Sequence, residues 1–167
     1  SEMCIRDSCY VGTDSEKFYQ YTMIEEVSRE RFIYAYKEAS SYSTVDFVQR
    51  AIIYFGYTPD MIQTDNGGEF THTQKTNRVH PLDVLCSRLH IVHKTIRPKT
   101  PWHNGKVERS HRNDQERFYN YLKFYSYEDL QLQMKRYLRR ANRIPMAVLG
   151  WKTPMQKRHE LEAARFC

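Results

Sequence analysis

Two carboxylates stand out by their surroundings. Asp65 closes the apolar run in "MIQTDNGGEF" (61–70) and is followed at once by Asn66, Gly67 and Gly68. Asp-Asn-Gly is ordinary turn chemistry. An acid at the carboxyl end of a strand is also where open α/β sheets build their sites. Glu108 is the one acid between Arg88 and Arg112, a stretch that holds Lys or Arg at 88, 94, 97, 99, 106, 109 and 112. A lone carboxylate among cations is usually a salt-bridge partner. Here it lies near the start of a helical pattern, beside Asn104, Gly105, Lys106, Arg109 and Arg112, and donors at a helix N-terminus attract phosphate. An acid inside an anion-attracting surface makes chemical sense if it holds a cation. Hard cations such as magnesium are commonly bound by one or two carboxylates together with substrate phosphate.

The elements that must position these acids follow from periodicity. "KFYQYTMIE" (17–25) and "RFIYAYK" (31–37) alternate and are rich in aromatic residues, so they read as a hairpin joined at "SRE". "CYVG" (9–12) reads as the end of an earlier strand. Val48, Ala51, Ile52 and Phe55 recur at helical spacing, with Ser43 and Asp46 as the expected capping box and Gly56 as the stop. "MIQT" is then a short strand delivering Asp65, "PLDVLCSRLH" (81–90) a helix opened by proline, and "IVHKTI" (91–96) another strand. "RPKTPWHNG" (97–105) is a loop. A helix is predicted from about Asn104 to Leu122, with Val107, His111, Phe118 and Leu122 on one face. Another follows from a Ser126/Asp129 capping box to Asn142, with Leu130, Met134, Tyr137, Leu138 and Ala141 inward and Lys135, Arg136, Arg139, Arg140 and Arg143 outward. The remainder reads as a tail that packs Trp151. A hairpin followed by alternating helix and strand implies an α/β fold with a mixed sheet and helices on its faces.

The 167 residues suit one domain with a real core, and 13 Tyr and 8 Phe supply it. No apolar run is long enough to span a bilayer. The four cysteines, at 4, 9, 86 and 167, form no metal-binding or redox spacing and read as reduced thiols. A net charge of +6, carried mainly by the 88–112 stretch, fits a polyanionic partner. His80, His90 and His93 show no metal spacing, and Glu69 is expected to point away from Asp65.

"TDNGGEF" followed by "RPKTPWHNGKVERSHR" resembles the catalytic core of DDE transposases and retroviral-type integrases, especially bacterial insertion-sequence transposases. The likeness runs from about Tyr10 to Pro154 and includes "FIYAY", "FYSYEDL" and "LGWKTP". It implies a ribonuclease H-like fold with a five-stranded mixed sheet and helices on both faces. It implies three catalytic, metal-holding acids, Asp7, Asp65 and Glu108, with Asp7 matched by its place three residues before Tyr10-Val11. Two Mg²⁺ or Mn²⁺ ions, DNA ends and target DNA as partners, and a homo-oligomer in the active complex come with it. So do a cytoplasmic, nucleoid-associated location and an end-recognition domain elsewhere in full-length relatives. Asn104, Lys106, Arg109, Arg112, Arg97 and Lys99 are the expected DNA contacts, with Trp102 available to stack on a base. The 42 residues between Asp65 and Glu108 exceed the family's commonest spacing, and the polar 71–79 stretch accounts for the excess. "MCIRDS" (3–8) does not read as a first strand and matches one frame of an adaptor used in DNA library preparation. The expected division is therefore 1–8 non-native or truncated, 9–145 the core and 146–167 a tail. The implied function is metal-dependent DNA cleavage and strand transfer. The alternatives are an inactive DNA-binding remnant and a ribonuclease H-like nuclease that does not join ends.

Overall fold

The computed structural model describes residues 1–13, 16–72, 78–96 and 105–165; at 6–13, 16, 105–108, 110 and 165 only the backbone is described. Five strands form one sheet: β1 (Glu2–Thr13), β2 (Glu16–Glu25), β3 (Arg31–Tyr36), β4 (Met61–Thr64) and β5 (Val92–Thr95). Their spatial order is β3-β2-β1-β4-β5. The first three strands meander antiparallel, whereas β4 joins β1, and β5 joins β4, in parallel. This is the mixed sheet that the alternation of elements predicts.

"MCIRDS" lies in the central strand, contrary to its reading as a non-strand segment. Met3, Cys4 and Ile5 are buried, and their backbone pairs with β2 on one side and, at Met3 and Cys4, with β4 on the other. A strand covered on both faces carries no alternation for a sequence reading to detect.

Helices α1 (Ser41–Phe55), α2 (Pro81–Arg88), α3 (Gly105–Arg117), α4 (Tyr127–Ala141) and α5 (Pro154–Arg165) surround the sheet. Alternate residues of β2 divide between two faces. Tyr21 meets Phe47 of α1 and Phe70. Phe18 meets Phe124 and Tyr127 at the start of α4, and Gln20 reaches Asp114 of α3. Tyr21, Phe47, Phe55 and Phe70 are fully buried, each a large apolar contribution.

The cap of α1 is Ser40, three residues before the expected Ser43: its hydroxyl accepts from the Ser43 N–H at 3.2 Å. Gly56 ends α1 in the left-handed region at φ 74°, where a Cβ would be penalised. Helix α3 stops at Arg117, short of Leu122, and a 3-10 turn (Tyr119–Tyr121) carries the chain onward. Helix α4 behaves as its period dictates. Leu130, Met134, Tyr137, Leu138 and Ala141 are buried, the basic residues are exposed, and Ser126 caps it through the Asp129 N–H.

The 146–165 stretch is attached to the core. Arg158 of α5 donates to both carboxylate oxygens of buried Glu30, at 3.1 and 2.9 Å, and to the Phe55 carbonyl. Trp151, expected to pack, is 75 % exposed.

Candidate active site

Asp65 stands directly after β4. Its Oδ1 accepts the Gly67 N–H at 2.9 Å, so the turn reading is correct as geometry. It also fixes the carboxylate at the strand end, as a ligand position requires. The following loop is held from three sides. The Asn66 side-chain amide donates to the Ile96 carbonyl at 2.7 Å, the Thr44 hydroxyl of α1 donates to the Glu69 carbonyl at 2.9 Å, and Phe70 is fully buried. Glu69 lies in the same loop. Its carboxylate folds back over Gly67, where an added Cβ would come within 2.7 Å of Oε2.

Beneath Asp65, β4 is clamped by side chains. Buried Thr64 shares a 2.8 Å hydrogen bond with His93 Nε2, and His93 Nδ1 meets Asp83 Oδ1 at 2.6 Å. The parallel β4–β5 register and the position of α2 create this chain; no sequence spacing announces it. His80 caps α2, its Nδ1 accepting the Leu82 N–H at 3.2 Å. Burial depresses its pKa below the usual histidine value, as suits a ring that must stay an acceptor.

Asp7 lies on β1 where the pairing with β2 slips, between Arg6 and Cys9. The parallel register pairs Cys4 with Gln63. Continued along both strands, it sets Asp65 level with Arg6, next to Asp7. Glu108 is on the first turn of α3, and α3 packs against β1. The three elements bearing the three acids therefore adjoin. The side chains of Asp7, Lys106 and Glu108 lie outside what is described, as do Arg97, Lys99, Trp102 and Asn104 altogether. Arg109 and Arg112 are exposed on α3.

A feature missing from the sequence reading is a buried polar hub on α3. Asp114 is fully buried. Its Oδ1 accepts from Arg31 Nη1 at 2.9 Å and from the Tyr137 hydroxyl at 2.6 Å, and its Oδ2 from Gln20 Nε2 at 3.3 Å. One carboxylate thus joins α3 to β2, β3 and α4. Burial works against the Arg31 charge, but Asp114 and Tyr137 outweigh it and leave the guanidinium pKa above its ordinary value. Burial, and next the Asp114 charge, push the Tyr137 hydroxyl up to about 12. The signal was present: Asp114 falls on the Val107–His111–Phe118 stripe, a charged residue at a core position.

A mixed five-stranded sheet with an acid at the end of a parallel inner strand, and a second acid position on the first turn of a helix packed beside it, defines an α/β core with acids on adjoining elements. Comparison gives the family. The integrase core domain family matches residues 2–101, and a second integrase core domain family matches residues 89–154; the chain belongs to the integrase core domain family. It is 31% identical over 124 residues to "Putative integrase ORF3" of Spiroplasma virus SpV1-C74, covering 68% of this chain. The match takes in 32% of that relative, about a third of its length. Among solved structures, the catalytic core domain of BIV integrase superposes with TM-score 0.72 at 21% identity, over 98% of each chain. The HTLV-2 integrase catalytic core domain in complex with magnesium gives 0.70 at 20% identity, over 93% of this chain and 95% of that one. A simian T-cell lymphotropic virus intasome chain gives 0.71 at 18% identity, over 93% of this chain and 54% of that one. The fold is the ribonuclease H-like fold of integrase catalytic cores. No described helix is long and apolar enough to cross a membrane.

Proposed function

We propose that the chain is the catalytic core of a transposase, cleaving phosphodiester bonds at element ends and joining the freed 3′-hydroxyl to target DNA. Asp7, Asp65 and Glu108 are the acids, holding two Mg²⁺ or Mn²⁺ ions. The observation that carries this is the parallel pairing of β1 with β4, whose continued register brings the Asp65 position beside Asp7. The packing of the Glu108 helix on β1 adds to it. The donor set fits the ions: carboxylate oxygens suit hard divalent cations, and the Gly67 N–H already orients one of them. When bound, such ions activate the attacking hydroxyl or water and stabilise the departing oxygen.

The chain's own residues then have separate duties. The Asp65 turn and the Thr64–His93–Asp83 clamp keep the β4 carboxylate in place. Arg109 and Arg112, with Lys106, Asn104, Arg97, Lys99 and Trp102, hold DNA near the acids, the cations through phosphates in a salt-dependent way. The exposed basic face of α4 adds a second cationic surface. The related HTLV-2 core in complex with magnesium and the intasome assembly support the metal, DNA and oligomer parts of this reading.

The test is a strand-transfer assay with labelled DNA ends. Asp65→Asn or Glu108→Gln is expected to abolish metal-dependent nicking and joining while DNA binding survives. Unchanged joining in either variant would falsify the assignment. Cleavage without joining in the unmodified protein would identify a nuclease instead.

A further inference from the structure

A cavity of about 600 Å³ lies between α3, the end of α4 and the connector at 144–148. Four arginines line it, Arg29, Arg31, Arg109 and Arg117, and no acid is among its described lining residues. Two of these cations are engaged elsewhere: Arg31 with Asp114 at 2.9 Å and Arg29 with Glu26 at 3.3 Å. Arg109 and Arg117 are exposed and pair with no described carboxylate. With Asn113 they follow i, i+4, i+8 spacing, which is one stripe of α3. The opposite wall is apolar and open: Ile144 is 37% and Val148 69% exposed, and Ile24 completes it.

A cationic stripe facing an apolar ledge suits a ligand that is anionic along one side and flat and apolar on the other. We propose that this cavity takes an unpaired nucleotide of the DNA strand that runs along α3, its phosphates on Arg109 and Arg117 and its base against Ile144 and Val148. The proposal rests on the reading of α3 as the DNA-facing helix and names a second subsite on it. Size favours an unpaired nucleotide over a duplex, because a cavity of this volume is of small-molecule scale and stacked bases present no free face. Single strands are generally bound by cationic contacts to the backbone combined with a side-chain platform for the base, most often aromatic; here Ile144 and Val148 supply an aliphatic one. Arg109 to Arg117 spans about 12 Å of helix, against roughly 3.4 Å of axial rise per phosphate along one strand of a duplex. More than one phosphate is within reach. The stripe also starts at the residue after Glu108, so a strand held at that acid continues into the cavity. An acidic peptide would satisfy the arginines but has no comparable reason to start there.

The experiment is fluorescence anisotropy with a labelled 12-nucleotide single strand and the matching duplex, over a salt series. Both are run with the unmodified chain, Arg117→Gln and Val148→Glu. Both variants change exposed side chains, and thermal melting verifies that they fold. The expected result is single-strand affinity at least tenfold weaker in each variant, a smaller salt slope for Arg117→Gln, and a lesser change for the duplex. A strand carrying 5-iododeoxyuridine should photocrosslink to the 137–148 peptide. Unchanged single-strand affinity in both variants, crosslinks confined to other peptides, or equal displacement by polyglutamate at matched charge would overturn it. Asp65→Asn in the same assay keeps the two readings apart. It should bind the single strand normally; persistent joining by that variant in the strand-transfer assay would sink the catalytic assignment and leave the cavity measurement standing.

Discussion

Removing the Asp114 carboxylate tests whether α3 is held in place by charge. In Asp114→Ala, Arg31 keeps a buried guanidinium without its counter-ion, and Tyr137 loses the acceptor of its 2.6 Å hydrogen bond. Breaking a buried ion pair from one side costs about 3–5 kcal/mol. The whole stability of a domain is about 5–15 kcal/mol, so the loss is large but need not be total. At roughly 2–4 °C per kcal/mol for a chain of this size, the melting temperature should fall by about 6–20 °C. Asp114→Asn keeps the shape and one acceptor and should lose less. The double replacement Arg31→Met with Asp114→Leu removes both charges, which is often nearly neutral when volume is conserved. Urea unfolding of Arg31→Met, Asp114→Leu and the double at pH 7 completes a cycle, with a coupling expected above about 1 kcal/mol. Additivity within roughly 0.5 kcal/mol would show that the two charges do not depend on each other, and the hub would be packing alone.

Other outcomes follow from the same contacts. His80 has a pKa depressed by burial, so its contribution is present above the ordinary histidine value and is lost as pH falls through the depressed folded-state pKa. His80→Asn keeps a capping acceptor and should flatten the loss of melting temperature between pH 7.5 and pH 5 (about 1 kcal/mol is typical of such a cap); an unaltered pH profile would refute it. Arg158→Ala leaves Glu30 buried without the partner now at 2.9 Å; hydrogen exchange should show α5 losing protection by about 1–3 kcal/mol while the sheet keeps its own. Arg112→Gln should weaken DNA binding for all sequences alike and lower the salt slope by about 1, a result that sequence-selective loss would contradict.

Elements whose order shows in local pattern were readable from sequence. Helix α4 buries Leu130, Met134, Tyr137, Leu138 and Ala141 and exposes its basic residues, because one amphipathic period decides both. "MIQT" ends at Asp65 as its turn chemistry demands. The failures have physical causes. Ser40, Ser41, Ser43 and Thr44 crowd one helix start, and each hydroxyl is a credible cap, so only the chain's entry path selects Ser40. β1 is hidden because consecutive residues Met3, Cys4 and Ile5 are all buried, which leaves no alternation to detect. Trp151 follows Gly150, and both adopt left-handed backbone, at φ 64° and 63°, a turn that carries the indole outward instead of into the core. The Thr64–His93–Asp83 chain arises from strand register, which no window of sequence contains.

Helix α3 explains how one segment can be both anchored and open to DNA. Glu108 and Asp114 are six residues apart, which on an ideal helix is about 9 Å of rise and roughly 120° of rotation. Their positions therefore lie on different faces, and the helix can bury one acid in a neutralised network without committing the other. Helix α3 sets Lys106, Arg109, Arg112 and Arg117 against Glu108, Asp114 and Glu116, a net charge of +1, and the described apolar anchors around it, Phe118 and Tyr119, come only at its end.

 With so small a net charge, overall repulsion is not what the anchor must resist. What it resists is local. Asp114 is consumed by Arg31 of β3, which leaves the exposed Arg109, Arg112 and Arg117 without a described carboxylate partner. Asp114 is thereby spent on holding the helix to the sheet, while the three arginines lie exposed. An apolar residue at 114 would leave the Arg31 guanidinium buried and unpaired, so the carboxylate at this position is tied to the choice of arginine on β3.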